Sequence, residues 1–279
     1  MRCSSLLLAT VLASQASADC ASDAEIAGFV QDYLSNTATS ALVPGGTIDD
    51  ALCTQAKLVT AMEPHLGPVV GYKAGLTSKP AQERFGASEP VQGVLFRDMM
   101  LEDGATVPIQ WGARPVFEAD LILVVGDAAI NEADTPQGVM AHISSVRPFI
   151  ELPDLTLAEG EPITPVTLTA IGVAPKLGIL GSDIPVSDPA AMTQALQNMT
   201  VTLSAADGEV LAQAPGAAVM GHPANAALWL MSKGIEFKPG DLISVGSFGP
   251  LFPPAKGNGG ASVTYDGLPG NPKVSVKFE

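Results

Sequence analysis

The apolar positions of this chain fall into two textures that meet near Pro64. Before that point they recur at helical spacing. Ser22 and Glu25 form a capping box, and Ile26, Phe29, Val30, Tyr33 and Leu34 follow at intervals that predict a helix from about Asp23 to Asn36. A second helix is predicted after Thr47, with Ile48, Leu52, Leu58, Val59 and Met62 apolar. Beyond Pro64 the pattern changes to short β-branched runs broken by glycine and proline. These predict strands at Val69 to Ala74, Val94 to Leu101, Phe117 to Val125, Pro148 to Pro153, Val201 to Ala205, Leu242 to Gly246 and Val274 to Phe278. Asp207-Gly208 marks a hairpin between Val201 to Ala205 and Val210 to Gln213. Only two helices are predicted in this part, near Pro136 to Ser145 and from Pro223 to Lys233, the latter closed by Gly234. The pattern predicts an α+β chain, with a helical segment over residues 19–66 and a β-rich domain over 67–279.

The first eighteen residues, MRCSSLLLATVLASQASA, combine Arg2, an apolar run from Leu6 to Ala13 and the small triplet Ala16-Ser17-Ala18. They predict a secretory signal peptide cleaved after Ala18, because the run is far short of the roughly 20 residues that span a bilayer. Periplasmic or secreted location is the expectation. Cleavage removes one of the 14 basic residues and none of the 29 acidic ones, taking the formal charge from −15 to −16. That excess argues against nucleic acid and anionic membrane as partners, both being polyanions. Cys20 and Cys53 would be the two remaining cysteines, a count that suits one disulfide in an oxidising compartment and leaves two unpaired thiols as the alternative.

One strand carries an anomaly. In PVFEADLILVVGD, Glu118 and Asp120 precede a strongly apolar run, and residues two apart on a strand project from one face. Two carboxylates about 5 Å apart repel by roughly 3 kcal/mol at an effective dielectric of 20. A strand entering from solvent tolerates this, whereas an enclosed face needs a cation or a shared proton. Glu151, at the end of the apolar PFI in VRPFIELPDL, is a third acid at a strand terminus. Three carboxylates on neighbouring strands would suit Mg²⁺, Mn²⁺ or Ca²⁺ rather than zinc. His65, His142 and His222 stand in no zinc motif, and the chain has no G-x-S-x-G elbow, no phosphate-binding G-x-x-x-x-G-K-[ST] loop and no G-x-G-x-x-G fingerprint.

Six stretches, in order, resemble one family: GYKAGLTSK from Gly71, GVLFRDMM from Gly93, the FEAD segment, FIEL from Phe149, GHPANAALWLMSKG from Gly221 and KPGDLISVGSF from Lys238. Together they are similar to the 2-keto-4-pentenoate hydratase branch of the fumarylacetoacetate hydrolase superfamily. The resemblance implies a mixed β-roll of the fumarylacetoacetate hydrolase C-terminal type behind the N-terminal helices. It implies a divalent metal, Mg²⁺ or Mn²⁺, on Glu118, Asp120 and Glu151, with Asp120 one methylene shorter than the family's second glutamate. It further implies Lys73 and Asp98 as catalytic groups, a 2-oxo acid as substrate, a hydro-lyase reaction and a homo-oligomer. Ser247, and Lys176 nearby, are expected to bind substrate. The chain departs from the pattern at Ile171-Gly172, where hydratases usually carry an Asp-Asn pair, and at Gly249, where they carry a threonine. Those departures keep a decarboxylase, a C–C hydrolase and a non-catalytic carboxylate-binding protein as alternatives.

Overall fold

The computed structural model of the protein describes residues 19–279, so the predicted signal peptide lies outside the described residues. Two helices, α1 (Asp23–Leu34) and α2 (Ile48–Leu66), come first, and each begins at a reciprocal capping box, Ser22 with Glu25 and Thr47 with Asp50. Helix α1 ends before the predicted Asn36, because Ser35 caps it and Asn36 turns to a φ of 55°. A disulfide joins Cys20 to Cys53, with the two Cα atoms 5.4 Å apart, and ties the segment preceding α1 to α2.

The body then runs β1 (Val69–Gly75), α3 (Lys79–Phe85), β2 (Val91–Phe96), β3 (Met100–Glu102), β4 (Thr106–Val107), β5 (Glu118–Val125), α4 (Pro136–Met140) and β6 (Ile143–Leu152). It continues with α5 (Pro165–Ala170), β7 (Leu177–Leu180), β8 (Ile184–Pro185), α6 (Pro189–Asn198), β9 (Thr200–Ala205), β10 (Val210–Pro215), α7 (Asn225–Ser232), β11 (Leu242–Ser244), β12 (Gly260–Asp266) and β13 (Lys273–Phe278). One mixed sheet has the order β2-β1-β11-β5-β6-β7-β3, with β8 on β6; a second has the order β10-β9-β12-β13-β4. In the first sheet β2 and β3 stand at opposite ends of the order, yet only the 3-residue turn Arg97–Met99 joins them. The sheet must therefore curl until its two edges meet, which makes the architecture a β-roll.

That turn also corrects the expected strand from Val94 to Leu101. The Arg97 N–H donates to the Pro68 carbonyl at 3.0 Å, and the chain leaves β1 there to pair with β7 instead. The helix expected from Pro136 to Ser145 is shorter for a similar reason. It ends at Met140, and the β-branched Ile143 opens β6, which pairs with β5 from Ile143 to Glu151. Three helices beyond the two expected fill the body: α3, α5 and α6 each start at a Ser, Thr or Asp cap followed by proline in the first turn.

The main core lies between the sheets. Ala119, Leu121 and Leu123 of β5 pack there with Val201 and Leu203 of β9 and Val263 and Tyr265 of β12. The N-terminal helices build a second core, in which Phe29, Tyr33, Leu58 and Met62 meet Val94 and Phe96 of β2 and Ala170 and Ile171 at the end of α5. A small third cluster, Leu95, Ile122, Phe149 and Leu180, fills the opposite face of the first sheet. Gln55 of α2 crosses between regions, donating to the carbonyls of Gln92 at 2.9 Å and Thr169 at 2.6 Å.

Candidate active site

The pleat of β5 sends Ala119, Leu121 and Leu123 into the main core, so Glu118, Asp120 and Ile122 project from the other face. Register then brings the third acid alongside: Glu118 lies directly opposite Glu151 in the antiparallel β5–β6 ladder. On the other side of β5, Ser244 of β11 pairs with Ile122 and is also in register with Lys73 of β1. Four adjacent strands, β1, β11, β5 and β6, thus deliver Lys73, Ser244, Glu118, Asp120 and Glu151 to one place.

Their contacts divide the acids by depth. Lys73, 3 % exposed, forms a buried ion pair with Glu151 and donates to the Val173 carbonyl at 3.0 Å. Asp120 is fully buried and accepts from the N–H groups of Leu121 and Gly246, at 2.6 and 3.0 Å, and from the Ser244 hydroxyl. Its backbone is fixed as well: the Tyr265 hydroxyl, reaching across from β12, donates to the Asp120 carbonyl and accepts from the Phe149 N–H at 3.0 Å. Gly246 can approach this closely because its φ is 100° and a Cβ there would stand 2.4 Å from Thr77 Oγ1.

Burial and mutual repulsion raise the pKa values of these acids. Desolvation, followed by the charge of Glu151, pushes Glu118 well above the usual carboxylate range, with Lys73 opposing. The same two causes carry Asp120 up to about 7, held back by the Ser244 hydroxyl and the Leu121 N–H. With all three ionised, the carboxylates against one ammonium leave a deficit of two positive charges in an enclosed site.

The site opens into a cavity of about 570 Å³. Lys73, Glu118 and Glu151 line it, and Asp120 lies beneath them. Its other walls are largely apolar, including Leu155, Leu168, Leu211, Phe248 and Leu251. Ser247 also lines the cavity, where its hydroxyl is engaged with Gly249, donating to the carbonyl at 2.6 Å, and its presence beside Glu118 tempers the rise in that residue's pKa. The loop that caps Lys73 is strained, with Gly172, Val173 and Ala174 at φ values of 71°, 63° and 55°. It lies so close to β2 that a Cβ on Gly93 would stand 2.1 Å from the Gly172 carbonyl oxygen.

Two expected site residues stand elsewhere. Asp98 is on the exposed turn between β2 and β3, paired with Arg97 at 2.8 Å, and it does not line the cavity. The turn that breaks the predicted strand turns it outward. Lys176 is also outside the cavity. It donates to the Tyr33 carbonyl at 2.7 Å and lies 3.8 Å from the centroid of that ring, so it braces α1 against the body. Burial lowers its pKa, and the Asp154 charge opposes that. Tyr265, Ser244, Gly246 and Val173 were not singled out from the sequence. Their part in the site comes from packing between sheets and from main-chain groups, and neither leaves a motif.

The Fumarylacetoacetate (FAA) hydrolase C-terminal family model matches residues 65–263. The chain belongs to the fumarylacetoacetate hydrolase family. Within this family, it is 34 % identical over 213 residues to a 2-keto-4-pentenoate hydratase of Paraburkholderia xenovorans (strain LB400), covering 75 % of this chain and 77 % of that one. It has the fold of a 4-oxalocrotonate decarboxylase from Pseudomonas putida G7, complexed with magnesium and adipate: TM-score 0.77, 25 % identity, 92 % of this chain and 96 % of that one. The same decarboxylase with calcium and acetate gives a TM-score of 0.75, at the same identity and coverage. This fumarylacetoacetate hydrolase family member is thus a hydratase-like enzyme.

The donor set fits a divalent cation. As placed, no three His, Cys, Asp or Glu side chains among the described residues stand together as a ready cage. Lys73 engages Glu151, while Ser244 and two N–H groups engage Asp120. Asp120 accepts three hydrogen bonds where a carboxylate has about four lone-pair sites, so one oxygen site remains. The deficit of two charges matches a divalent ion, and oxygen-only donors suit Mg²⁺, Mn²⁺ or Ca²⁺. Glu118 and Glu151 would hold it from the cavity side and Asp120 from below.

Proposed function

We propose that this chain is an exported, divalent-cation-dependent lyase that acts on a 2-oxo acid by a hydratase-type reaction. The observation that carries this reading is the convergence of Glu118 and Glu151 with Lys73 on the floor of an apolar cavity, above the buried Asp120. Export is supported by the character of residues 1–18 and by the Cys20–Cys53 disulfide, a bond that persists in oxidising compartments. Identity to a 2-keto-4-pentenoate hydratase supports the reaction class.

Glu118, Asp120 and Glu151 would hold Mg²⁺ or Mn²⁺, which when bound would supply Lewis-acid polarisation of the 2-oxo carboxylate end of the substrate. The protein's own groups do the rest. Lys73 Nζ, held between Glu151 and the Val173 carbonyl, is placed to donate to the 2-oxygen as negative charge develops and to relay its proton during ketonisation of a dienol. Water then adds across the conjugated C=C, its hydroxyl going to the carbon distal to the oxo group and a proton to the adjacent carbon. The apolar walls limit bulk water around the reactive enone. Ser247, beside Glu118, contributes a polar group to the same wall.

The test is turnover of 2-hydroxypenta-2,4-dienoate by the mature protein, followed by loss of diene absorbance and by identification of 4-hydroxy-2-oxopentanoate. Turnover with Mg²⁺ or Mn²⁺ and its loss after chelation are expected; turnover that survives thorough chelation contradicts the cation-dependent mechanism. A decarboxylase reading has its own support in the solved structure that covers 92 % of this chain. Release of CO₂ from a 2-oxo diacid in the same assay separates it from hydration.

A further inference from the structure

We infer that Gln55 and Tyr33, which stand on the two N-terminal helices and outside the cavity, are positioning residues for Lys73 that act through the Gly172–Ala174 loop. This assignment rests on the proposed proton-transfer role of Lys73 and adds the groups that hold its partner in place. The Val173 carbonyl accepts from Lys73 Nζ at 3.0 Å, so the seat of the ammonium depends on three consecutive residues with left-handed backbone. Glycine adopts that conformation freely, whereas the β-branched Val173 and Ala174 do not. Such backbone persists only where its surroundings fix it. Local bonds supply part of the hold: the N–H groups of Gly172 and Val173 donate to the Thr169 and Leu168 carbonyls at 3.0 and 2.8 Å, and the Asp154 N–H donates to the Ala174 carbonyl at 3.1 Å. The N-terminal helices grip the segment on both sides of the loop.

Before the loop, Gln55 of α2 is 7 % exposed and gives its side-chain amide to two carbonyls, Thr169 at 2.6 Å and Gln92 at 2.9 Å. Both contacts are acceptors, so they use both N–H bonds of the amide. Gln92 precedes Gly93, which lies opposite Lys73 in the β1–β2 ladder and whose missing Cβ admits the Gly172 carbonyl. One side chain thus locks the strand beside Lys73 to the helix end that leads into the loop. After the loop, the buried Tyr33 hydroxyl of α1 donates to the Pro175 carbonyl at 2.9 Å, one residue past Ala174. Ile171 and Ala174 pack into the core that these two helices build. A helical segment that lines no part of the cavity thereby sets where the Lys73 ammonium stands.

NMR of the mature, cation-free protein labelled with ¹⁵N-lysine reads this clamp without substrate, because exchange of the Lys73 ammonium protons with water reports how firmly they are held. Gln55→Met and Tyr33→Phe keep most of the bulk and remove the donors, and each is expected to speed that exchange about tenfold. Thr54→Val is the control. It removes from the same helix a buried hydroxyl that accepts from the Ala21 N–H at 2.9 Å and makes no bond to the loop, so Lys73 exchange should not change. In the diene assay with Mg²⁺, Gln55→Met and Tyr33→Phe should lose about 10- to 100-fold in kcat with KM within about twofold of the wild type, and Thr54→Val should lose neither. Unchanged exchange in both folded variants, or an equal rise in Thr54→Val, overturns the assignment and leaves the lyase reading standing. If Gln55→Met does not fold, Tyr33→Phe decides alone. A wild type without turnover sinks the lyase reading, while ammonium exchange still decides whether the helices hold Lys73.

Discussion

The two faces of β5 are built from alternate residues of one segment and have opposite chemistry. Toward the second sheet, Ala119, Leu121 and Leu123 are buried in a dry apolar core. Toward the cavity, Glu118 and Asp120 are enclosed beside Glu151, and burial there raises their pKa values instead of adding hydrophobic stability. The contrast shows how a period of two lets one strand serve as both keel and site. The apolar face fixes the strand strongly enough to hold like charges together on the other. Tyr265 joins the two functions, since its ring packs in the apolar core and its hydroxyl holds the Asp120 carbonyl.

Changes on the charged face should break function with little loss of fold. Lys73→Met removes the ammonium paired with Glu151, and a fall in kcat of about 10²–10⁴-fold is expected in the diene assay, the range typical of a positioned proton-transfer group. A fall below about threefold would remove Lys73 from the chemistry. On the apolar face the expectation reverses. Leu121→Ala, at a fully buried position, should cost about 3 kcal/mol and lower Tm by several degrees in calorimetry. Its affinity for Mg²⁺ at low temperature should stay close to that of the wild type.

The pH response sharpens the same contrast. Asp120 has its pKa raised to about 7, against about 3.9 in the unfolded chain, and Glu118 is raised as well. Between those values the folded protein holds more protons than the unfolded one, so the cation-free protein gains stability as pH falls from about 7 toward 5. Thermal melts of the chelated protein should show a higher Tm at pH 5.5 than at pH 8, and added Mg²⁺ should raise Tm more at pH 8. A smaller effect is expected from Ser244→Ala. It removes one hydrogen bond that favours ionised Asp120, so stability should fall by about 1 kcal/mol and the Asp120 pKa should rise further, measurable by carboxylate NMR titration.

Much of this was legible in the sequence because it is local. The capping box at Ser22 located the first helix and the apolar spacing after Thr47 the second, and the spacing of Glu118 and Asp120 put them on one face before any partner strand was known. The order of family motifs pointed to the β-roll. Contacts distant in sequence were not legible: the 3-residue turn at Arg97–Met99 that closes the roll interrupts an apolar run that reads as one strand. The same turn carries Asp98 to the surface, and Lys176 is drawn to Tyr33 by a helix 143 residues away in sequence. Helices α3, α5 and α6 did leave a local signal, a capping residue followed by proline, but α3 and α5, at 7 and 6 residues, are too short to show a helical period.

The measurement that bears most directly on the charged face is isothermal titration of Mg²⁺ and Mn²⁺ into the metal-stripped mature protein, beside Glu118→Ala. One site per chain in the wild type, with proton release at neutral pH and loss of binding in the variant, is the predicted result. Absence of binding in the wild type, or unchanged binding in Glu118→Ala, would contradict the claim that these carboxylates are gathered to hold a divalent cation.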